Sequence, residues 1–336
     1  MKVIVVPTIE GAPTRVTIES ARAVFARSGI RTIAVCTSER TDSEIPEEPS
    51  LKFIDSGAVA ALVRGFEQLT DCGLVSLFGR AEYNRSYGGA ANLCSAIAVV
   101  VGAESYYRFD DDCLFAQTRL VSGAKNAVVF GSYLEREVHP RLRLLEAYPA
   151  LIDALDPRHS RAWTQRPKTG CLCVSAEAAR AAPFPVWFDY ETGLMPRGEI
   201  YDWERALRPG GVTFEHASDF SVHHLSDYPT DPARWLRSFA LKADYSFISN
   251  WLASRQRGDL TAELCARRRR ILDALGMSHL PFDTRASVED LVVNHSLRFA
   301  MTGVPSFQRA RAIWARLMIE LADEENRGLF RRRLEI

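Results

Sequence analysis

The chain has 336 residues, of which 47% are hydrophobic and 25% are charged. These are the proportions of a globular protein, so they exclude an intrinsically disordered or fibrous chain. The 42 basic and 42 acidic side chains give a formal net charge of +0, without the basic excess that is typical of nucleic-acid-binding proteins.

No apolar run approaches the roughly 18 residues of a membrane span. The apolar stretch near the N-terminus, residues 3–6, is shorter than the core of a signal peptide, which needs about 7–15 residues. The 7 cysteines are scattered and include no CxxC pair of the kind that binds zinc. We therefore expect a cytoplasmic protein with reduced thiols, no transmembrane segment and no nucleic-acid partner.

Short β-rich runs alternate with helical patterns along the first 110 or so residues. Strands are predicted at residues 2–7, 30–38, 74–79 and 105–112. Helices are predicted between them, at residues 11–29, 56–73 and 88–103, with Gly29 just past a helix end. This alternation predicts a parallel sheet with helices on both faces, and ligands of such sheets bind at the carboxyl ends of the strands.

Further strands are predicted at residues 126–135, 212–219 and 220–227, and a strand–helix unit at residues 170–181. The pattern changes near residues 228–231, so we expect an α/β domain at 1–228 and a helical region at 229–336. Two apolar stripes run through that region: Trp235, Phe239, Ala243, Phe247 and Trp251, and then Phe307, Ala310, Ile313, Trp314, Leu317, Met318 and Leu321. They predict either a homodimer built by these helices or packing within the chain.

Three consecutive carboxylates, Asp110, Asp111 and Asp112, follow an aromatic-rich strand. Like charges this close repel each other, so the cluster is costly unless a cation binds there. Carboxylate oxygens suit Mg²⁺ or Mn²⁺. If the chain turns after the strand, two of the carboxylates can reach one ion; the alternative is a solvated acidic turn.

Gly88 and Gly89 open the third predicted helix. Adjacent glycines let the backbone approach a ligand closely, and a helix N-terminus attracts anions. The alternative is an ordinary tight turn before a helix.

Together these motifs resemble nucleotide-sugar-dependent glycosyltransferases of the GT-A fold (family-2-like), over about residues 1–226. The matching residues of the turn and helix are Asn84, Gly88, Gly89, Ala90 and Asn92, and Asp110 with Asp112 matches the D-x-D motif. Ala91 stands where many relatives carry arginine, so Arg85 or Arg80 would supply that charge. The resemblance implies an α/β, Rossmann-like nucleotide-diphospho-sugar transferase sheet with a helical C-terminal extension.

The resemblance also implies how the donor is held. The first loop would bind the nucleobase and ribose through Pro7, Thr8 and Glu10, and Asp42 after the second strand would contact the base. The donor contacts nearer the diphosphate would come from Arg85, Gly88, Gly89, Asn92, Asp110 and Asp111. An ordinary βα loop is the alternative for the residues of the first two loops.

The metal and the catalytic base are implied in the same way. A histidine on a late strand would complete the metal shell of Asp110 and Asp112, and of the adjacent pair we favour His224 over His223. The acidic start of a helix would supply the base, with Asp202 at the matching position, Glu204 two residues later and Glu199 as a competing candidate. Ordinary helix capping is the alternative there.

The sequence therefore predicts a glycosyltransferase that uses Mn²⁺ or Mg²⁺ and moves a sugar from a UDP- or GDP-sugar to an unidentified hydroxyl acceptor, with inversion. One alternative is a nucleotidyltransferase of sugar metabolism, although the loop PTIEGAPTR has little of the glycine that such enzymes carry there. The other is a non-catalytic module in which the acidic cluster holds an ion.

Overall fold

The computed structural model describes residues 1–8, 14–38, 48–79, 87–135, 170–186, 199–225, 262–263, 266, 270 and 296–336. The strands within these ranges are β1 (Lys2–Thr8), β2 (Thr32–Cys36), β3 (Leu51–Ile54), β4 (Ser105–Phe109), β5 (Cys113–Leu114), β6 (Ala127–Glu135), β7 (Cys171–Ser175) and β8 (Thr213–His224). The helices are α1 (Arg15–Ser28), α2 (Ser56–Thr70), α3 (Val75–Phe78), α4 (Tyr87–Val100), α5 (Ala176–Ala181), α6 (Glu199–Leu207), α7 (Ser296–Glu320) and α8 (Glu324–Leu334).

The eight strands form one mixed sheet in the order β3-β2-β1-β4-β7-β6-β8-β5. The first four strands in this order are parallel to one another, as the alternating pattern predicts. The other half, built mostly by residues that follow this alternation, is mixed: β7 is antiparallel to both β4 and β6, β6 is parallel to β8, and β5 is antiparallel to β8. The short β5 follows β4 after a single turn and joins the far edge, so the sheet curls at the end of β4.

Helices cover both faces of the sheet, which confirms the α/β class. Val3 and Val5 of β1 enter a large core shared with α2, α4, α5 and α7, whereas Ile4 and Val6 enter a second core on the face that α1 covers. Alternate residues of a strand point to opposite faces, so a strand covered on both sides reads as a continuous apolar run. Gly29 ends α1 in the left-handed conformation with φ 68, as its position in the sequence predicts.

Helix α4 runs through the middle of the larger core. Every residue from Gly88 to Val100 is buried. A helix that is apolar on all sides belongs inside a protein, and its small residues let neighbouring segments pack closely against it.

One predicted strand is a short helix in the structure. Residues 74–79, expected to be a strand, contain the short helix α3, whose Leu77 and Phe78 are buried in the larger core. Short apolar runs do not distinguish a strand from a buried helical turn. The third parallel strand is instead β3, an edge strand in which only Leu51 and Ile54 are buried.

The predicted strands at residues 212–219 and 220–227 form one long strand, β8. Its pairing with β6 is irregular. Phe130 pairs with His216, but Ser132, only two residues further along β6, pairs with Ser221, so the register shifts between the two pairs. The expected break between the two runs is therefore an irregularity within a single strand.

The second apolar stripe of the C-terminal region lies on α7 and packs inside the chain. Ile313, Trp314 and Leu317 belong to the larger core, and the indole Nε1 of Trp314 donates a hydrogen bond to Ala179 O at 3.2 Å. The apolar stripe of α7 therefore packs within the chain, and is not an exposed dimer interface. The stripe from Trp235 to Trp251 and the boundary near residue 228 lie outside the described residues, and the homodimer stays a prediction.

No helix in the described ranges combines the length and the apolar character needed to cross a membrane.

Candidate metal centre

The turn after β4 is where the predicted acidic cluster lies. Cys113 N donates to Asp110 O at 3.2 Å, which closes the turn, and Leu225 N donates to Asp112 O at 2.9 Å. In the β5–β8 pairing, Cys113 lies opposite His224. The backbone therefore holds the end of β8 beside the acidic turn, although more than a hundred residues separate them in the sequence.

Three side chains converge at this point. One ligand atom each of Asp110, Asp112 and His224 lies within 4.8 Å of the other two, and all three residues are half-buried. His224 Nε2 is 3.3 Å from Asp112 Oδ2. Neighbouring residues of a strand face opposite ways, and His223 is exposed while His224 faces the cluster. Two carboxylates and an imidazole form a donor set that suits a divalent ion such as Mn²⁺.

The carboxylate of Asp111 does not belong to this group of three. Its backbone carbonyl accepts hydrogen bonds from the hydroxyls of Thr14 at 2.7 Å and Thr17 at 2.6 Å, at the start of α1. The middle residue of the triplet thus ties the acidic turn to the first helix.

A buried arginine lies beside Asp110. Arg108 is 1% exposed, and its Nη2 lies 3.9 Å from Asp110 Oδ1. Within the described part of the chain, its Nε and Nη1 have no hydrogen-bond partner. Burial is the largest single influence on Arg108 and acts to lower its pKa, but Asp110 and the nearby Cys94, Tyr106 and Tyr133 together outweigh it. The pKa is raised, so the guanidinium stays charged. This buried positive charge offsets part of the repulsion between the carboxylates.

Tyr133 of β6, which belongs to no predicted motif, also contacts the cluster. Its hydroxyl donates to Asp110 Oδ2 at 2.7 Å, and its ring stacks on the imidazole of His224 with centroids 4.9 Å apart. Burial, and next the charge of Asp110, raise the pKa of Tyr133 well above its usual value, so the hydroxyl remains a donor. An arginine in the middle of the apolar run SYYRF was a visible signal for Arg108, whereas no local pattern marks Tyr133.

The residues predicted to bind the nucleobase are only partly described. Pro7 and Thr8 end β1 and are buried at the same edge of the sheet as Asp110, while Glu10 and Asp42 lie outside the described residues. Thr8 O accepts hydrogen bonds from the amide and the hydroxyl of Thr37, at 2.9 and 3.0 Å. The Thr8 hydroxyl is buried without a hydrogen-bond partner in the described ranges.

The glycine pair of α4 lies against other backbone segments. A Cβ at Gly88 would be 1.9 Å from Pro185 O, and one at Gly89 would be 2.6 Å from Phe78 O. Only glycine allows these two approaches, so helix packing alone accounts for the pair. Their role in donor binding stays a prediction, and Asn84 and Arg85 lie outside the described residues.

Asn92 joins α4 to two loops. Its Nδ2 donates to Leu77 O at 2.8 Å and to Phe184 O at 2.9 Å, and its Oδ1 accepts from Phe184 N at 2.6 Å. Both amide protons are thus used inside the protein, and the residue is 0% exposed. These contacts give Asn92 a structural role, and its predicted role in donor binding has no support from them.

The acidic residues predicted as bases lie on α6, which begins at Glu199. Asp202 is the fourth residue of this helix, but its side chain and that of Glu199 lie outside the described part. The carboxylate of Glu204 pairs with Arg208 one turn later. Buried Trp203, between the candidates, stacks on Phe184 at 4.0 Å and anchors the helix to the core.

Fold and site together define an α/β protein with a mixed sheet and a candidate divalent-cation site at the carboxyl end of β4. No protein-family model and no curated protein matches the sequence.

Proposed function

We propose that the protein is a metal-dependent glycosyltransferase that moves a sugar from a nucleotide-diphosphate donor to a hydroxyl acceptor. The observation that carries this proposal is the convergence of Asp110, Asp112 and His224 at the carboxyl end of β4. Ligands of α/β proteins bind at that edge of the parallel strands. The resemblance of the acidic motif and the preceding helix to GT-A enzymes supports the same interpretation.

The donor set fits Mn²⁺ or Mg²⁺. Asp110, Asp112 and His224 would hold the ion, since hard carboxylate oxygens suit both metals and an added imidazole favours Mn²⁺. When bound, such an ion neutralises the charge that develops on a leaving nucleoside diphosphate.

The chain's own residues would bind and orient the donor around this point. The buried charge of Arg108 lowers the net negative charge next to Asp110, which favours the approach of a polyanion. Thr8 ends the neighbouring strand β1 with a buried hydroxyl, at the edge where a nucleoside would lie. Asp202, in the first turn of α6, would accept the proton of the acceptor hydroxyl in an inverting reaction, because a helix N-terminus stabilises an ionised carboxylate.

The test is a thermal-shift panel of nucleoside diphosphates and UDP- and GDP-sugars, with and without Mn²⁺. A ligand at about 100 times its dissociation constant should stabilise the protein by about 2.7 kcal/mol. We expect this gain only with Mn²⁺, and its loss in Asp112→Asn. The matched control is Asp219→Asn, which removes an exposed carboxylate of β8 that pairs with Arg119 away from the cluster.

The positive ligands would then be assayed for sugar transfer. Binding that is the same in EDTA would contradict the proposal. Release of pyrophosphate from a nucleoside triphosphate and a sugar phosphate would instead identify a nucleotidyltransferase. Mn²⁺ binding without stabilisation by any nucleotide would indicate a non-catalytic metal module.

A further inference from the structure

Tyr133 reaches the acidic turn across an intervening strand. It lies on β6, and β7 separates β6 from β4 in the sheet. Gly170 immediately precedes β7, between the two. A Cβ at position 170 would lie 1.9 Å from the Tyr133 hydroxyl and 2.1 Å from Asp110 Oδ2. The 2.7 Å hydrogen bond between Tyr133 and Asp110 therefore depends on the absence of a side chain at position 170.

The ring of the same tyrosine orients the histidine of the cluster. Tyr133 pairs with Val222 of the parallel neighbour β8, and His224 lies two residues further along that strand, on the same face. The two rings are nearly parallel, with an interplanar angle of 6° and centroids 4.9 Å apart. This contact restricts the rotation of the imidazole, whose Nε2 lies 3.3 Å from Asp112 Oδ2.

We propose that Tyr133 is the positioning residue of the candidate metal centre: its hydroxyl orients the carboxylate of Asp110, and its ring orients the imidazole of His224. One side chain thus holds two of the three ligands in the arrangement that a cation needs. Residues that orient metal ligands raise metal affinity, because the ligands lose less freedom when the ion binds. The inference rests on the proposed function only in that a divalent cation binds this cluster, and it does not depend on sugar transfer.

The test is the Mn²⁺ affinity of the full chain, measured from the electron paramagnetic resonance signal of free Mn²⁺. Tyr133→Phe keeps the ring and removes the hydroxyl, and should weaken binding about 10-fold, the lower end of the effect of such partners. The matched control is Tyr107→Phe, which removes a tyrosine hydroxyl that donates to Val121 O at 2.7 Å, away from the cluster. The control should bind Mn²⁺ like the wild type.

The two halves of the proposal are separated in a His224→Ala background. Tyr133→Leu removes the ring as well as the hydroxyl, so in the wild-type background it should bind Mn²⁺ several-fold more weakly than Tyr133→Phe. In the His224→Ala background, Tyr133→Phe and Tyr133→Leu should bind Mn²⁺ equally, whereas the step from tyrosine to phenylalanine should keep its full effect through Asp110. A merely structural role of the tyrosine would not produce this split.

Gly170→Ala provides a second variant that keeps the tyrosine. Its methyl group must displace the Tyr133 hydroxyl or the Asp110 carboxylate, so it should weaken Mn²⁺ binding about as much as Tyr133→Phe. Circular dichroism would identify any variant that does not fold, and the folded ones decide the question. Wild-type affinity in folded Tyr133→Phe or Gly170→Ala would overturn the positioning role and leave the proposed function standing. Absence of Mn²⁺ binding by the wild type would overturn the proposed function and this inference with it.

Discussion

The strongest prediction concerns Asn92, whose side chain makes three hydrogen bonds in a fully buried place. Asn92→Ala removes the partner of the carbonyl oxygens of Leu77 and Phe184 and of the amide of Phe184. All three groups lose their partner where water is excluded, because Asn92 is 0% exposed. The alanine side chain is a methyl group without a polar atom, so it cannot replace any of these hydrogen bonds.

The expected loss follows from these contacts. A buried donor or acceptor that is left without a partner costs about 1–3 kcal/mol. Three such groups, with some relaxation of the loop, give a loss of about 3–6 kcal/mol in the free energy of unfolding. Since whole domains are stable by about 5–15 kcal/mol, the variant should be severely destabilised or only partly folded.

Urea denaturation followed by circular dichroism measures this loss. The control is Ser95→Ala, almost one turn further along α4, which breaks a single bond to the hydroxyl of Tyr106 and should cost about 1–2 kcal/mol. A free energy of unfolding of Asn92→Ala within about 1 kcal/mol of the wild type would refute the reasoning, since that is the worth of a single ordinary hydrogen bond. If such a variant also lost donor binding, Asn92 would be a binding residue, as the sequence resemblance implies.

Two further predictions concern packing and pH. Gly88→Ala should lower the free energy of unfolding by about 3 kcal/mol, the upper end for overpacking, because its Cβ would lie 1.9 Å from the backbone oxygen of Pro185. The control is Gly73→Ala, whose Cβ would have nothing within 4 Å and which should have little effect. Equal melting temperatures of the two variants would contradict this prediction. The ion pair with Arg22 lowers the pKa of Glu48 below its ordinary 4.5, so its stabilisation is present above that pH and is lost as the pH falls through the folded-state value. Glu48→Gln should therefore be less stable than the wild type at pH 7 but not near pH 3, and a difference in urea midpoint that is independent of pH would exclude this explanation.

Several elements of the fold could be predicted because their signals are local. The apolar run of β1 and the periodic pattern of α1, ended by Gly29, depend on residues that are neighbours in the sequence. The acidic turn was equally visible, since three adjacent carboxylates need a cation or solvent wherever they lie. The short apolar segment that forms α3 could not be predicted, because four residues contain too little periodicity to separate a strand from a helical turn.

The sequence by itself determined the α/β class, the parallel strands β1, β2 and β4, and the place of Asp110 and Asp112 at the end of β4. Only the tertiary structure decided that His224 rather than His223 faces them, because that choice depends on the register of β8 against β5. The contact of Tyr133 with Asp110 was likewise decided by the order of strands in the sheet, whereas Arg108 lies only two residues before Asp110 and its contact is local. The physical reason is that strand order and register follow from the burial of whole faces by residues far apart in the chain, and no local pattern records which partners that burial brings together.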